Sequence, residues 1–229
     1  MAIVSYDYNF IFVKTTKTAG TSIEADLSPL AGPNAVVTPI FPAEPGHAPR
    51  NHAGLDGSRL FYNHMSAGEI RAQVGAERFA AMYRFCVERE PVAKCISHFH
   101  MLRNSPLHNP EGAYQLSWQE YCEARKFPMD LHRYSAVENG RRVLIVDHVL
   151  RYDALQAQLA QVMRHLGVAG FILTARAKSD YGRNVLIRRE EVTPPQKAMI
   201  LKKFQPAMEL TGINWNTPPQ PLTFAAAVL

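Results

Sequence analysis

The stretch FIFVKTTKTAGTSIEADL, residues 10–27, decides the fold because an apolar run passes through a Gly-containing turn into a pattern typical of a helix. A short apolar run of this kind predicts a buried strand. The first N–H groups of a helix are unpaired and its dipole is positive there, so the helix start is a natural seat for a phosphate. Lys17 would add a full charge, and Thr18, Thr21 and Ser22 would add hydroxyl donors. The pattern favours an anion-binding loop; an ordinary strand-to-helix turn with a solvated lysine is the alternative.

Length and composition bound the architecture. A chain of 229 residues, 47% of them hydrophobic, is large enough for one well-buried domain and short for two. We therefore expect a single domain over residues 1–229, with a tail from about residue 213 that could be peripheral to it. The net charge of +5 suits an anionic ligand, but the basic residues are spread along the chain and form no long run. Binding to nucleic acid is accordingly not expected.

The cysteines and the apolar segments bear on the compartment. The three cysteines, Cys86, Cys95 and Cys122, show no C-x-x-C spacing, so neither a disulfide framework nor a structural zinc site is expected. The N-terminal residues lack the pattern of a signal peptide, and no segment approaches about 18 uninterrupted apolar residues. These observations predict a cytoplasmic protein without integral membrane association. They do not bear on its oligomeric state.

Short β-rich runs alternate with helical patterns along the chain, which predicts an α/β fold with a mostly parallel sheet flanked by helices. The predicted strands are residues 9–15, 82–88 and 142–149. Helices are predicted after the opening turn and over residues 66–75, 91–102, 117–126, 153–166 and 194–211. Stretches rich in Pro, Gly, Asn and His are predicted loops, at residues 28–58, 103–112 and 214–221.

A second anion-binding element is predicted in YRFCVEREPVAKCISHF, residues 83–99. Its apolar run ends just before Arg89, and Pro91 suits the first turn of a new helix. Arg89 would then lie at a helix N-terminus, with the Ser97 hydroxyl about two turns further along. The planar fork of arginine suits phosphate oxygens. The alternative is a surface arginine and a serine bonded to its own helix backbone.

The two segments together resemble the P-loop sulfotransferases of the carbohydrate type. That family carries F-V-H-I-P-K-T-[AG]-G-T-S and later V-R-D-P-x-x-R-x-x-S, and this chain has FVKTTKTAGTS at residues 12–22 and VEREPVAKCIS at residues 87–97. Weaker similarity continues through VLIVDHVLRYDALQAQLAQVMRHLGV, residues 143–168. The resemblance covers most of residues 9–187 and implies a P-loop-type fold.

The resemblance implies a 3′-phosphoadenosine 5′-phosphosulfate donor, with the first motif on the 5′-phosphosulfate and the second on the 3′-phosphate. The first role falls to Lys17, Ala19, Gly20, Thr21 and Ser22, and the second to Arg89 and Ser97. Lys17 would also act in catalysis. A late segment, ARAKSDYGR at residues 175–183, is similar to the family's loop that closes over the nucleotide, which adds Ser179 to the donor site.

The chain departs from the family motifs at positions that include 14, 16 and 90. Lys14 and Thr16 stand where the first motif has His and Pro, and Glu90 stands where the second has Asp. We expect Lys14 to lie on the solvated side of the strand end; the alternative is that it adds positive charge beside the donor. Glu90 can still accept hydrogen bonds near Arg89, so that change is mild.

Sulfuryl transfer also needs a base for the acceptor hydroxyl, and His64 is the candidate. It lies in RLFYNHMSAGEIRAQVG, residues 59–75, which resembles the family's G-H-x-x segment with Asn63 in place of the Gly. An imidazole of ordinary pKa, about 6.5, has suitable basicity near neutral pH. A structural histidine at the entry of a helix is the alternative.

These observations predict a sulfotransferase that moves a sulfuryl group from the nucleotide donor to an acceptor hydroxyl. Carbohydrate is the leading acceptor class by resemblance alone. The Walker sequence G-x-x-x-x-G-K-[ST] does not occur, so no metal ion is expected. Two alternatives stay open: a P-loop nucleotide kinase or other phosphotransferase, and a nucleotide-binding protein that keeps the fold without the chemistry.

Overall fold

The computed structural model describes residues 2–168, 170–177 and 184–224. The strands are β1 (Ala2–Ser5), β2 (Phe10–Val13), β3 (Val36–Val37), β4 (Tyr83–Glu88), β5 (Ser135–Glu138), β6 (Arg141–Leu144) and β7 (His148–Arg151). The α-helices are α1 (Gly20–Leu27), α2 (Ala67–Val74), α3 (Ala76–Ala81), α4 (Pro91–Asn104), α5 (Trp118–Ala124), α6 (Leu131–Tyr134), α7 (Leu155–His165) and α8 (Pro194–Thr211).

The main sheet is mixed, with the strand order β3-β1-β2-β4-β7. Strands β2, β4 and β7 are parallel to one another, whereas β1 is antiparallel to both of its neighbours, β2 and β3. The cause is the short connection between β1 and β2, because a tight turn can join only antiparallel strands. Asn9 takes a left-handed φ of 53° in that turn. The α/β prediction is confirmed, and the expected parallel sheet is corrected to a mixed one.

The predicted strand at residues 142–149 is wrong as a single element. Its first half belongs to β6, which pairs with β5 in a separate two-stranded sheet, and its second half belongs to β7 in the main sheet. Asn139 and Gly140 join β5 to β6 with positive φ values of 50° and 76°. Asn-Gly is a strong hairpin signal, so this pair was readable in the sequence and was missed.

Both faces of the main sheet are covered. On one face, the side chains of Val4, Ile11 and Cys86 pack with α2, α3 and α6, and on the other, Phe12 and Phe85 pack with α1 and α7. The rings of Phe12 and Phe85 have centroids 5.3 Å apart on neighbouring strands. Burial on both faces explains why β2 has a continuous apolar sequence rather than an alternating one.

The predicted helices at 66–75, 91–102, 117–126, 153–166 and 194–211 are confirmed as α2, α4, α5, α7 and α8. Ser66 and Ser117 form capping boxes at the starts of α2 and α5, and Pro91 opens α4. Sequence patterns missed the short helices α3 and α6. None of the helices in the described ranges is long and apolar enough to cross a membrane.

The tail after residue 213 is packed onto the main sheet as far as it is described. Arg151 in β7 donates to the backbone carbonyls of Asn214 and Thr217 at 3.0 and 2.8 Å. Further along, the ring of Phe224 stacks on that of His165 in α7, with centroids 4.3 Å apart. The tail therefore packs against side chains of β7, the last strand of the sheet, and of α7.

Candidate active site

One large cleft, with a volume of about 1120 Å³, opens beyond the carboxyl ends of β2 and β4. In sheets of this kind ligands bind outside the carboxyl ends of parallel strands. The cleft is lined by eight of the nine residues predicted for the site: Lys17, Ala19, Gly20, Thr21, Ser22, His64, Arg89 and Ser97. The ninth, Ser179, lies outside the described residues. The structure thus brings two motifs and a histidine together across about 80 residues of sequence.

The loop between β2 and α1 forms the floor of the cleft. Lys17 and Ala19 both take left-handed φ values, 62° and 60°, which L-residues rarely adopt. The hydroxyls of Thr15 and Thr18 lie 2.9 Å apart, and that of Thr15 donates to the carbonyl of Val87 in β4. Helix α1 begins after Ala19, whose side chain cannot accept a hydrogen bond, so the helix has no side-chain cap at its start. An uncapped helix start beside a lysine has the donors that an anion requires.

Lys14 is buried, so the expectation that it lies on the solvated side is wrong. Its side chain is 7% exposed, and Nζ lies 2.9 Å from Glu24 Oε2 and 3.0 Å from Thr21 Oγ1. The end of β2 is covered on both faces, which directs the side chain inward, and the fully buried Glu24 compensates its charge. A Cβ at Gly20 would lie 2.5 Å from Lys14 Cγ, so the lysine stem requires glycine at that position.

Thr16 is held by a buried carboxylate. Asp130 accepts hydrogen bonds from the Thr16 N–H at 2.7 Å and from the Thr16 hydroxyl at 3.0 Å. Lys94 in α4, which is fully buried, bridges Asp130 and Glu88 with Nζ 2.8 Å from each. Burial alone would raise the pKa of Asp130, but Lys94, Thr16 and Arg133 together lower it to about 2. Asp130 is therefore ionised at neutral pH.

Arg89 stands beside the loop at the junction of β4 and α4. Its guanidinium lies 4.3 Å from the centre of the Tyr152 ring, and Nη1 donates weakly to the Lys17 carbonyl at 3.4 Å. Its buried Nε has no hydrogen-bond partner within the described part of the chain. Burial lowers the pKa of Arg89 from its usual value, yet the group stays charged. A fixed guanidinium with an unfilled donor suits an anion, and Ser97 lines the same cleft.

Ser22 and Asp26 attach a distant segment to α1. The Ser22 hydroxyl accepts a hydrogen bond from the Ala177 N–H at 3.1 Å. The Asp26 carboxylate accepts from the N–H groups of Thr174 and Ala175. The predicted closing loop therefore begins directly beside the first turns of α1, although its continuation is outside the described residues.

His64 lines the cleft in a strained backbone conformation, with φ 62°. Arg133 Nη1 donates to the His64 carbonyl, and the buried ring atom Nδ1 has no hydrogen-bond partner among the residues described. Burial lowers the pKa of His64 to about 3, with the positive charges of Lys14 and Arg133 adding to the effect. The expectation of an ordinary pKa is therefore wrong. The ring is neutral at pH 7, the form that can accept a proton.

Three residues that shape the cleft were missed by sequence reasoning: Asp130, Lys94 and Tyr152. Lys94 lies within the second motif segment, residues 87–97, but that segment does not indicate which carboxylates the lysine would bridge, because partners of these residues lie up to 114 residues away in sequence. Across residues 2–168, 170–177 and 184–224, no group of three or more His, Cys, Asp or Glu side chains could hold a metal ion.

Comparisons with known proteins give little beyond this geometry. An uncharacterized protein of Archaeoglobus fulgidus is 27% identical over 106 residues, which cover 45% of this chain and 83% of that protein. No protein-family model matches the chain, and no solved structure matches it. The cleft itself is therefore the basis on which a function can be proposed.

Proposed function

We propose that the protein is a P-loop-type sulfotransferase that moves a sulfuryl group from 3′-phosphoadenosine 5′-phosphosulfate to an acceptor hydroxyl, with carbohydrate as the acceptor class. The observation that carries the proposal is the meeting of two cationic anion-binding elements in one cleft. Lys17 lies at the start of α1 and Arg89 at the start of α4. A donor with a phosphosulfate at one end and a 3′-phosphate at the other needs two such elements. The three free, buried cysteines fit a cytoplasmic setting.

The dimensions and the chemistry of the cleft fit this donor. Small-molecule sites commonly enclose about 300–1,000 Å³, so a volume of about 1120 Å³ has room for a nucleotide together with part of an acceptor. Lys17 and the uncapped amides of α1 would hold the phosphosulfate end. Arg89, kept in place by its stacking on Tyr152, would hold the 3′-phosphate together with Ser97.

In the proposed reaction the acceptor oxygen bonds to sulfur, the bond from sulfur to the 5′-phosphate oxygen breaks, and adenosine 3′,5′-bisphosphate leaves. Lys17 would stabilise the charge that develops on the leaving phosphate. His64 would accept the proton of the acceptor hydroxyl. Its ring pKa of about 3 would rise as the negative donor enters, because nearby negative charge favours the protonated imidazole. A sulfuryl group carries less negative charge than a phosphoryl group, so the proposal assigns no step to a metal ion.

Calorimetric titration with adenosine 3′,5′-bisphosphate, ATP and GTP tests the binding half of the proposal. The bisphosphate should bind most tightly. Arg89→Ala should weaken it by about tenfold or more, since loss of a charged hydrogen bond costs about 1.5–3 kcal/mol. Arg71→Ala is the matched control: it removes an arginine whose ion pair with Glu138, at 2.8 Å, lies on the surface. Unchanged bisphosphate binding by folded Arg89→Ala would refute the assignment of Arg89.

A sulfate-transfer assay with a panel of hydroxyl acceptors tests the other half. Transfer to a sugar hydroxyl supports the proposal in full, and transfer only to other alcohols or phenols would overturn the acceptor class. Preference for ATP with phosphate transfer would make the protein a nucleotide kinase. Tight bisphosphate binding without transfer to any acceptor would make it a non-catalytic nucleotide-binding protein.

A further inference from the structure

Asp130 is the centre of a buried network that reaches two walls of the cleft. Its side chain is 3% exposed. Oδ2 accepts from the Thr16 N–H at 2.7 Å and from Lys94 Nζ at 2.8 Å, and Oδ1 accepts from the Thr16 hydroxyl at 3.0 Å and from Arg133 Nε at 2.7 Å. Each carboxylate oxygen thus has two donors, which fixes the orientation of the group.

Two arms of this network end at residues of the candidate site. Thr16 immediately precedes Lys17 in the loop. Arg133, which bonds Asp130 through Nε, donates through Nη1 to the carbonyl of His64. The carboxylate of Asp130 therefore holds the loop directly and His64 through one intermediate side chain.

Both ends of the network hold strained backbone. Lys17 and His64 take φ values of 62°, and such left-handed conformations are unfavourable for residues other than glycine. Strained conformations persist only where the surroundings over-determine them. A carboxylate that is ionised and bonded four times is suited to this restraint. Asp130 itself does not line the cleft, so it can act on a ligand only through its neighbours.

We propose that Asp130 is a positioning residue that holds the Lys17 loop and, through Arg133, His64 in one fixed relation across the cleft. The inference rests on the proposed function, because it takes the loop as the donor site and His64 as the base. Donor binding would then depend on the bonds from Asp130 to Thr16, and proton transfer on the bonds from Asp130 through Arg133 to His64.

Three substitutions separate the arms. Thr16→Val keeps the shape and the N–H but removes the hydroxyl bond. Arg133→Lys keeps the positive charge near His64 but has a single nitrogen in place of the separate Nε and Nη1 that bond Asp130 and the His64 carbonyl, so it loses the fixed geometry between them. Asp130→Asn keeps the shape of the anchor and replaces an acceptor with an N–H₂ that faces donors. Arg71→Lys, at an exposed arginine, is the control.

Amide hydrogen exchange gives a readout that does not depend on activity. Exchange should accelerate at residues 15–21 in Thr16→Val, at residues 63–66 in Arg133→Lys, and at both in Asp130→Asn. In calorimetry and kinetics, Thr16→Val should weaken bisphosphate binding about fivefold, the value of one hydrogen bond of about 1 kcal/mol. Arg133→Lys should leave that affinity within about twofold and lower kcat by about tenfold or more, through misplacement of the base. Arg71→Lys should change neither.

The outcomes distinguish the two proposals. If wild type neither binds the bisphosphate nor transfers sulfate, the proposed function fails, and the exchange pattern still decides whether Asp130 anchors both segments. If wild type is active but the two arm variants affect both segments equally, or neither, the positioning role is overturned. Should Asp130→Asn not fold, Thr16→Val and Arg133→Lys decide the question alone.

Discussion

Replacing Lys94 with Met should be among the most destabilising single changes in this protein. Lys94 is fully buried, and its Nζ is shared by Glu88 and Asp130 at 2.8 Å each. Methionine keeps much of the stem volume but leaves two carboxylates in the interior without their common cation. Breaking a buried ion pair from one side costs about 3–5 kcal/mol, a large part of a typical folding free energy of about 5–15 kcal/mol.

The loss of stability in Lys94→Met should depend on pH, and the direction of this dependence follows from the pKa values of the two carboxylates. In the wild type, Lys94 helps to lower the pKa of Asp130 to about 2, whereas burial already raises the pKa of Glu88. Without the lysine, burial should raise both pKa values above those of the unfolded chain. A carboxylate of raised pKa takes up a proton more readily in the folded state, so stability recovers as pH falls through that raised pKa. The deficit of the variant should therefore narrow between about pH 7 and pH 5.

Urea unfolding of wild type and Lys94→Met at both pH values measures this difference. Lys203→Met, an exposed lysine of α8, is the matched control and should lie within about 0.5 kcal/mol of wild type. A deficit below about 1 kcal/mol would mean that the carboxylates find other partners or water. A loss of stability of about 3–5 kcal/mol that is the same at both pH values would show that lost packing, rather than uncompensated charge, is its cause.

Three further predictions concern the cleft. Gly20→Ala should destabilise the fold by about 1–3 kcal/mol, because the new Cβ clashes with the Lys14 stem. The control Gly68→Ala should stabilise helix α2, because its Cβ meets only Ser66 Oγ at 4.0 Å. Equal effects of the two substitutions on thermal unfolding would contradict the steric explanation. His64→Ala should lower kcat by about 10²–10⁴-fold with little change in bisphosphate affinity. In the wild type, an NMR titration should find the His64 ring neutral down to about pH 4, whereas an ordinary histidine is half protonated near pH 6.5. Sulfate transfer should survive EDTA, because the loop lacks the Gly-Lys-Ser/Thr sequence with which a Walker loop organises Mg²⁺; loss restored only by a divalent ion would point to phosphotransfer.

Local signals in the sequence predicted the elements that frame the cleft. The FIFV run predicted β2, the Gly after it predicted the start of α1, and Pro91 predicted the start of α4. These predictions succeeded because each depends on a few neighbouring residues. The hairpin at Asn139 and Gly140 carried an equally local signal, and it was missed because residues 142–149 were assigned to one strand.

Properties set by tertiary contact could not be predicted in the same way. The pKa of His64 follows from burial and from charges that the chain brings in from residues 14 and 133. Lys14 lies at the end of β2, where the sequence allowed its side chain to point either to solvent or to the interior. Its burial depends on the ion pair with Glu24 of α1. No periodicity or motif encodes such pairs, since the energy of a buried charge is decided by what surrounds it in three dimensions.

Lys14 and Thr16 are two positions at which the loop departs from the motif it resembles, and each meets a buried carboxylate. A proline at position 16 would fix φ and would need no acceptor, because it has no N–H. Threonine has an N–H that must be satisfied in the interior, and Asp130 accepts it together with the hydroxyl. Lys14 likewise carries a charge that would be costly if uncompensated, and Glu24 compensates it. The two departures thus replace local restraint of the loop by restraint from distant charged groups, so they do not by themselves argue that its ability to hold an anion is lost.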